Sequence, residues 1–113
     1  MTSTVLGISF YTSDATAIAR FWAQLLGRSV RDGASEAFAA VEAPGEPLLM
    51  FHQVPEPKTV KNRLHFDLRV DDFDAEASRV IALGATQLTT LADNNGQWSK
   101  FADPDGNEFD LVP

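Results

Sequence analysis

Two histidines, His52 and His65, and a carboxylate pair near the C-terminus, Glu108 and Asp110, are the side chains best suited to chemistry. Imidazole binds zinc, nickel, iron or manganese, and it moves protons near neutral pH. A lone histidine can equally be a half-buried side chain that is merely hydrogen bonded. His52 stands just before a proline-containing segment, which would leave it at a sheet edge in solvent. Glu108 and Asp110 are two residues apart, on one face if the segment is a strand. Close carboxylates repel, which raises one pKa and suits it to general acid or base work. They are also oxygen donors for a metal, or simply a solvated acidic edge.

Asp67 and Arg69 share the same spacing. A structural ion pair is the expectation, although Arg69 also suits a substrate carboxylate or phosphate. Asp103 and Asp105 read as turn-shaping residues. A calcium loop starting at Asp103 would need Gly at its sixth position, where Glu108 stands, and the chain ends before a twelfth. Tyr11, Trp22, Phe38, Met50 and Trp98 are candidates for a binding wall, with Trp22 better placed in a core or interface. No Gly-rich phosphate loop, nucleophile elbow or HExxH helix is present, so nucleotide and serine-hydrolase chemistry lack support.

The elements that must position these residues occur twice. Val5 to Tyr11 reads as a strand, Asp14 as an N-cap, Ala15 to Leu26 as a helix and Gly27 as its stop. Arg63 to Val70 reads as a strand, Asp71 or Asp72 as a cap, Phe73 to Leu83 as a helix and Gly84 as its stop. Asp14 to Gly27 and Asp71 to Gly84 are each thirteen steps, and both helices end in Leu-Gly. Three strands complete each half. In the first they are Ser29 to Arg31, Phe38 to Val41 and Leu48 to Val54. In the second they are Thr86 to Leu91, Gln97 to Ala102 and Glu108 to Val112. Turns are expected at Asp32-Gly33, Pro44-Gly45, Asn95-Gly96 and Asp103-Pro104-Asp105-Gly106.

The predicted fold is therefore α+β: two tandem βαβββ modules with curled sheets around a cavity and helices on the outer face. Module one covers residues 4–54, a linker 55–61 and module two 62–113, together one domain. Strand alternation puts Leu6, Ile8 and Phe10 opposite Gly7, Ser9 and Tyr11, and Leu49 and Phe51 opposite Met50 and His52. It puts Leu64, Phe66, Leu68 and Val70 opposite His65, Asp67 and Arg69, and Phe109 and Leu111 opposite Glu108 and Asp110. The apolar faces suit the helices. The polar faces carry both histidines and suit a ligand, or merely water.

A chain of 113 residues can bury one modest core. Its 44% hydrophobic and 22% charged residues argue against disorder. The absence of cysteine excludes disulfide and thiol chemistry. A net charge of −7 with no basic stripe excludes nucleic acid and anionic membranes as expected partners. The opening Met1-Thr2-Ser3-Thr4 has no signal-peptide pattern, and no apolar run reaches transmembrane length, so a cytoplasmic protein is expected. Curled four-stranded sheets leave edges and apolar surface needing cover, which predicts a homodimer.

The stretch Asn62-Arg63-Leu64-His65-Phe66-Asp67-Leu68-Arg69-Val70-Asp71-Asp72 resembles the opening of the second module in glyoxalase-like proteins of the vicinal-oxygen-chelate superfamily. Ala82-Leu83-Gly84-Ala85 and Phe101-Ala102-Asp103-Pro104-Asp105-Gly106-Asn107-Glu108-Phe109 resemble its middle and its last hairpin. Members of this superfamily, which includes bleomycin resistance proteins and dioxygenases, often hold one divalent metal with two side chains per module. By position the resemblance implies Gly7, His52, His65 and Asp110. Gly7 has no donor, and Asp110 stands where the family commonly has Glu.

Two functions follow from the resemblance. One is a metal-dependent lyase, isomerase or dioxygenase. Its metal (Zn, Ni, Fe or Mn) would be held by His52, His65 and Asp110, with Glu108 as ligand or base. Ser9, Tyr11, Met50, Arg69 and Trp98 would contact the substrate. The other is a metal-free protein that binds or sequesters a small molecule. Gly7 favours the second, the histidines and carboxylates the first, and enzyme status stays open. A plain interaction module would have no pocket.

Overall fold

The computed structural model describes residues 2–93 and 96–113. Ten elements follow one another: β1 (Gly7–Thr12), α1 (Ala15–Leu26), β2 (Ser29–Val30), β3 (Phe38–Glu42), β4 (Leu48–Gln53), β5 (Phe66–Arg69), α2 (Phe73–Leu83), β6 (Thr86–Asp93), β7 (Gly96–Ala102) and β8 (Glu108–Val112). They form two four-stranded mixed sheets, ordered β1-β4-β3-β2 and β5-β8-β7-β6. In each sheet the first strand runs parallel to the last strand of its own module, and the other pairs are antiparallel. The α+β fold of two βαβββ modules is the one expected. The chain divides into two compact units, Met1–Pro57 and Lys58–Pro113.

Both helices begin and end by the predicted chemistry. The Asp14 carboxylate accepts the Ala17 amide at 3.2 Å, and the Asp72 carboxylate accepts the Ala75 amide at 3.1 Å. Each satisfies a donor that the first helical turn leaves without a partner. Of the two cap candidates before α2, Asp72 is the one used. Gly27, at φ 67°, takes the left-handed conformation that lets the Arg28 amide reach back to the Ala23 carbonyl at 2.8 Å.

Strand ends differ from expectation where a partner is missing. β1 begins at Gly7 rather than Val5, because its parallel neighbour β4 begins opposite, at Leu48. β5 begins at Phe66 rather than Arg63. There the Glu108 amide goes to the Asn62 side chain, at 3.1 Å, in place of a ladder carbonyl. In the expected Asn95-Gly96 turn, Asn95 lies outside the described residues.

Each core lies on the apolar face of its sheet. In the first unit Leu49, Phe51, Ala39 and Val41 are buried beneath α1, which contributes Ile18, Phe21, Trp22 and Leu25. Phe10 stacks on Phe51 at 5.2 Å, and Phe21 meets Trp22 edge-on at 5.4 Å. Trp22 is thus core and not part of a binding wall. In the second unit Phe101 and Phe109 stack at 5.7 Å beside Ser99, Leu111 and Val80, the residue of α2 that is buried. Burying such a side chain stabilises by about 1.5–3 kcal/mol, enough to fix which face of each strand turns inward.

Candidate functional site

Register assembles the second unit's polar face. Asp67 on β5 is the parallel partner of Asp110 on β8, and Asp110 is the antiparallel partner of Lys100 on β7. The three side chains form a row across three strands. His65, two residues before Asp67, joins the row at its β5 end. Its Nε2 lies 3.2 Å from Asp67 Oδ1 and 3.6 Å from Asp110 Oδ2. The other Asp110 oxygen, Oδ1, accepts a hydrogen bond from Lys100 Nζ at 3.0 Å. One donor atom from each of His65, Asp67 and Asp110 falls within 4.8 Å of the others.

Asp67 therefore does not form the expected pair with Arg69. The ion-pair partner of Asp67 is instead His65, which also lies 3.6 Å from Asp110. Arg69 is exposed, opposite Val112 in the ladder. Trp98 is half-buried on β7, two residues before Lys100 and so on the same face of that strand.

Glu108 is engaged by a lysine. Its carboxylate accepts a hydrogen bond from Lys61 Nζ at 2.6 Å. That bond holds the Glu108 pKa below the ordinary carboxylate value, against burial that pushes it up, and the charges of Lys61, Lys100 and Lys58 act in the same direction as the bond. The pKa elevation expected from the Asp110 carboxylate does not appear at Glu108, because cations surround it. A carboxylate held this firmly ionised is a weaker base.

In the first unit Ser9, Tyr11, Met50 and His52 share a face, since Ser9 pairs with Met50 and Tyr11 with His52. His52 is half-buried, not free in solvent at a sheet edge. Its Nε2 lies 3.1 Å from Ser9 Oγ, and its ring sits between Phe38 at 5.1 Å and Tyr11 at 6.0 Å. Position 7 offers no donor, and it is also covered. A Cβ placed on Gly7 would meet the Met50 methyl at 2.6 Å. An open depression lined by Ser13, Gln53, Val54 and Pro55 carries no charged side chain.

The donor set of the second unit fits a divalent ion. Bonds of about 2.1 Å from one ion put neighbouring donors about 3–3.5 Å apart, close to the spacings of His65 from Asp67 and Asp110. Imidazole with carboxylates suits manganese, iron or zinc rather than a soft thiophilic ion. Asp67 and Lys100 are the members of this group that the residue pattern alone did not assign to a site. The signal was available for Asp67, which the alternation pattern put on the same face as His65.

Asp103 shapes the last turn, as expected. Its Oδ1 accepts the amides of Asp105 and Asn107, both at 2.9 Å. Gly106, at φ 88°, supplies the left-handed step.

The family model of the glyoxalase-like domain matches residues 7–112. Comparison with curated proteins finds no match. Among solved structures, a glyoxalase/bleomycin resistance protein/dioxygenase family enzyme from Burkholderia phytofirmans is 19% identical, with a TM-score of 0.78 over 96% of this chain and 97% of that one. The oxidase ChaP-H2 is 25% identical, with a TM-score of 0.73 over 98% and 93%. A fosfomycin resistance protein from Listeria monocytogenes, solved with Mn(II) and a dihydroxypropylphosphonic acid, is 16% identical, with a TM-score of 0.77 over 99% and 90%. With the family model spanning both βαβββ modules from the first strand to the last, the chain belongs to the glyoxalase-like domain family.

Proposed function

We propose that this protein acts on or binds a small oxygen-rich organic molecule with the help of one divalent cation held by His65 and Asp110. The convergence of His65 Nε2 and Asp110 Oδ2 on one face of the second sheet carries this reading. Support also comes from the Listeria relative, which was solved with Mn(II) and a phosphonic acid. The ion would supply Lewis acidity to two adjacent substrate oxygens. Asp110 presents Oδ2 while Lys100 holds Oδ1, so its carboxylate is fixed in direction. Glu108 stays ionised beside Lys61 and is better suited to holding that lysine than to taking a proton. Arg69 and Trp98 are proposed as substrate contacts on the same sheet. Ser9, Tyr11, Met50 and His52 form the corresponding polar and aromatic face of the first. His52 remains a proposed donor on the face of the first unit, with its Nε2 engaged by Ser9.

Metal analysis of the purified protein, followed by titration with Mn2+ and Zn2+, tests this. His65→Ala should abolish cation binding, while Asp103→Ala, a turn residue, should leave it intact. Unchanged metal content in His65→Ala would contradict the reading. The alternative is a metal-free small-molecule binder. Two observations favour it: Met50 covers Gly7, and Lys100 already neutralises Asp110. It predicts ligand binding that chelators leave unaltered.

A further inference from the structure

We propose that Asp67 is the third protein donor of the cation site, so that side chains of the second unit suffice to build it. The proposal rests on the cation reading given above and names a ligand that the family resemblance does not. The resemblance implies two donors from each module, but in the first module position 7 is glycine and is covered by Met50. The second unit has a replacement within reach.

Geometry is the first support. His65 immediately precedes β5 and Asp67 is its second residue, and the His65 Nε2 lies 3.2 Å from Asp67 Oδ1. The ladder sets Asp67 directly beside Asp110. No strand needs to shift for the three donors to meet, since they already fall within 4.8 Å of one another.

Charge is the second. Lys100 Nζ, 3.0 Å from Asp110 Oδ1, balances the Asp110 carboxylate. With neutral imidazole at His65, Asp110 and Lys100 sum to zero and hold little attraction for a dication. Asp67 adds one negative charge with no lysine or arginine beside it among the described residues, and this brings the group to −1. The residue outside the family pattern is thus the one that decides whether the site attracts a cation.

Access is the third. The Asp110 side chain is only 10% exposed, whereas His65 and Asp67 are 40% and 61% exposed. The buried carboxylate makes a fixed floor, and the two exposed donors form an open rim. Such a site can admit a hydrated ion and keep positions for water or substrate. One imidazole with two carboxylates suits Mn2+, Fe2+ or Zn2+.

The competing account is a surface ion pair between Asp67 and protonated His65, with no role in holding a metal. The full chain, stripped with a chelator and returned to buffer, distinguishes the two. Mn2+ binding is read by electron paramagnetic resonance of the free ion and by calorimetry, so no enzymatic activity is required. The wild type should bind one Mn2+ per chain, and Asp67→Asn should weaken binding at least about tenfold, the lower end for losing a group that supports a metal site. Asp74→Asn, which removes an exposed acidic residue at the start of α2, should change it by less than about twofold. Because Asp67 is exposed, Asp67→Asn should keep the wild-type circular dichroism. Unaltered affinity in Asp67→Asn, alongside loss in His65→Ala, would overturn this proposal and leave the cation reading standing. An equal loss in Asp74→Asn would overturn it by showing only a general charge effect. A wild type that binds no Mn2+ would overturn both.

Discussion

Lys61 and Lys100 decide how the carboxylates of the last strand behave. Glu108 sits under the Lys61 ammonium, and Asp110 under Lys100. The Glu108 pKa is lowered in the folded protein, so this pair stabilises the fold above the ordinary carboxylate pKa. That contribution disappears as pH falls through the lowered value. Glu108→Gln should therefore be less stable than wild type at neutral pH, by under about 1 kcal/mol because Lys61 is exposed. The gap should close in acid. Urea titrations at neutral and acidic pH check this, and a gap that persists in acid would show that the pair acts by packing alone. The placement of the candidate residues was largely legible from strand patterning: Glu108 and Asp110 lie on β8 as expected, while His65, expected within a strand, lies just before β5. Their partners were not legible. Lys100 and Asp67 reach Asp110 through the register of three strands, and register depends on pairings that are distant in the sequence.

At the scale of elements, both helices match their predicted bounds because each is bracketed by an aspartate cap and a Leu-Gly stop, signals local to the chain. Asp14→Ala should cost about 1 kcal/mol, measured by denaturant unfolding, since it removes the acceptor of the Ala17 amide. Strand starts were less legible, because Val5, Leu6 and Arg63 have strand-like neighbours but no ladder partner. The two helices also differ in a way that alternation did not reveal. α1 buries seven residues, and α2 buries Val80 while Ile81 remains exposed. The second core therefore depends more on its sheet. Phe109→Ala, which removes a fully buried ring stacked on Phe101, should cost about 3–5 kcal/mol, near the limit a small unit tolerates. Wild-type-like thermal stability in that variant would contradict this account of the second core.

For the whole molecule, the repeat was the most readable feature. Matching cap, helix and stop intervals announced two modules, and each folds with the same strand order and the same parallel closure. The repeat does not extend to the chemistry: glycine stands in module one where module two has His65, and the facing pair Ser9 and Met50 stands where module two has Asp67 and Asp110. No helix among the described residues is long and apolar enough to cross a membrane. Val5, Leu6, Val60 and Leu64 are large apolar side chains left exposed, and the homodimer remains a proposal. Light scattering at tens of micromolar (a rough range set by common dimer affinities) should return twice the chain mass, and a monomer would contradict it. The claim on which the functional account depends is that the second unit holds one divalent cation. Calorimetric titration of chelator-stripped wild-type protein with Mn2+ tests it most directly. The account predicts saturable binding of one ion per chain, lost in His65→Ala; no saturable binding in the wild type, or binding that survives in His65→Ala, would contradict it.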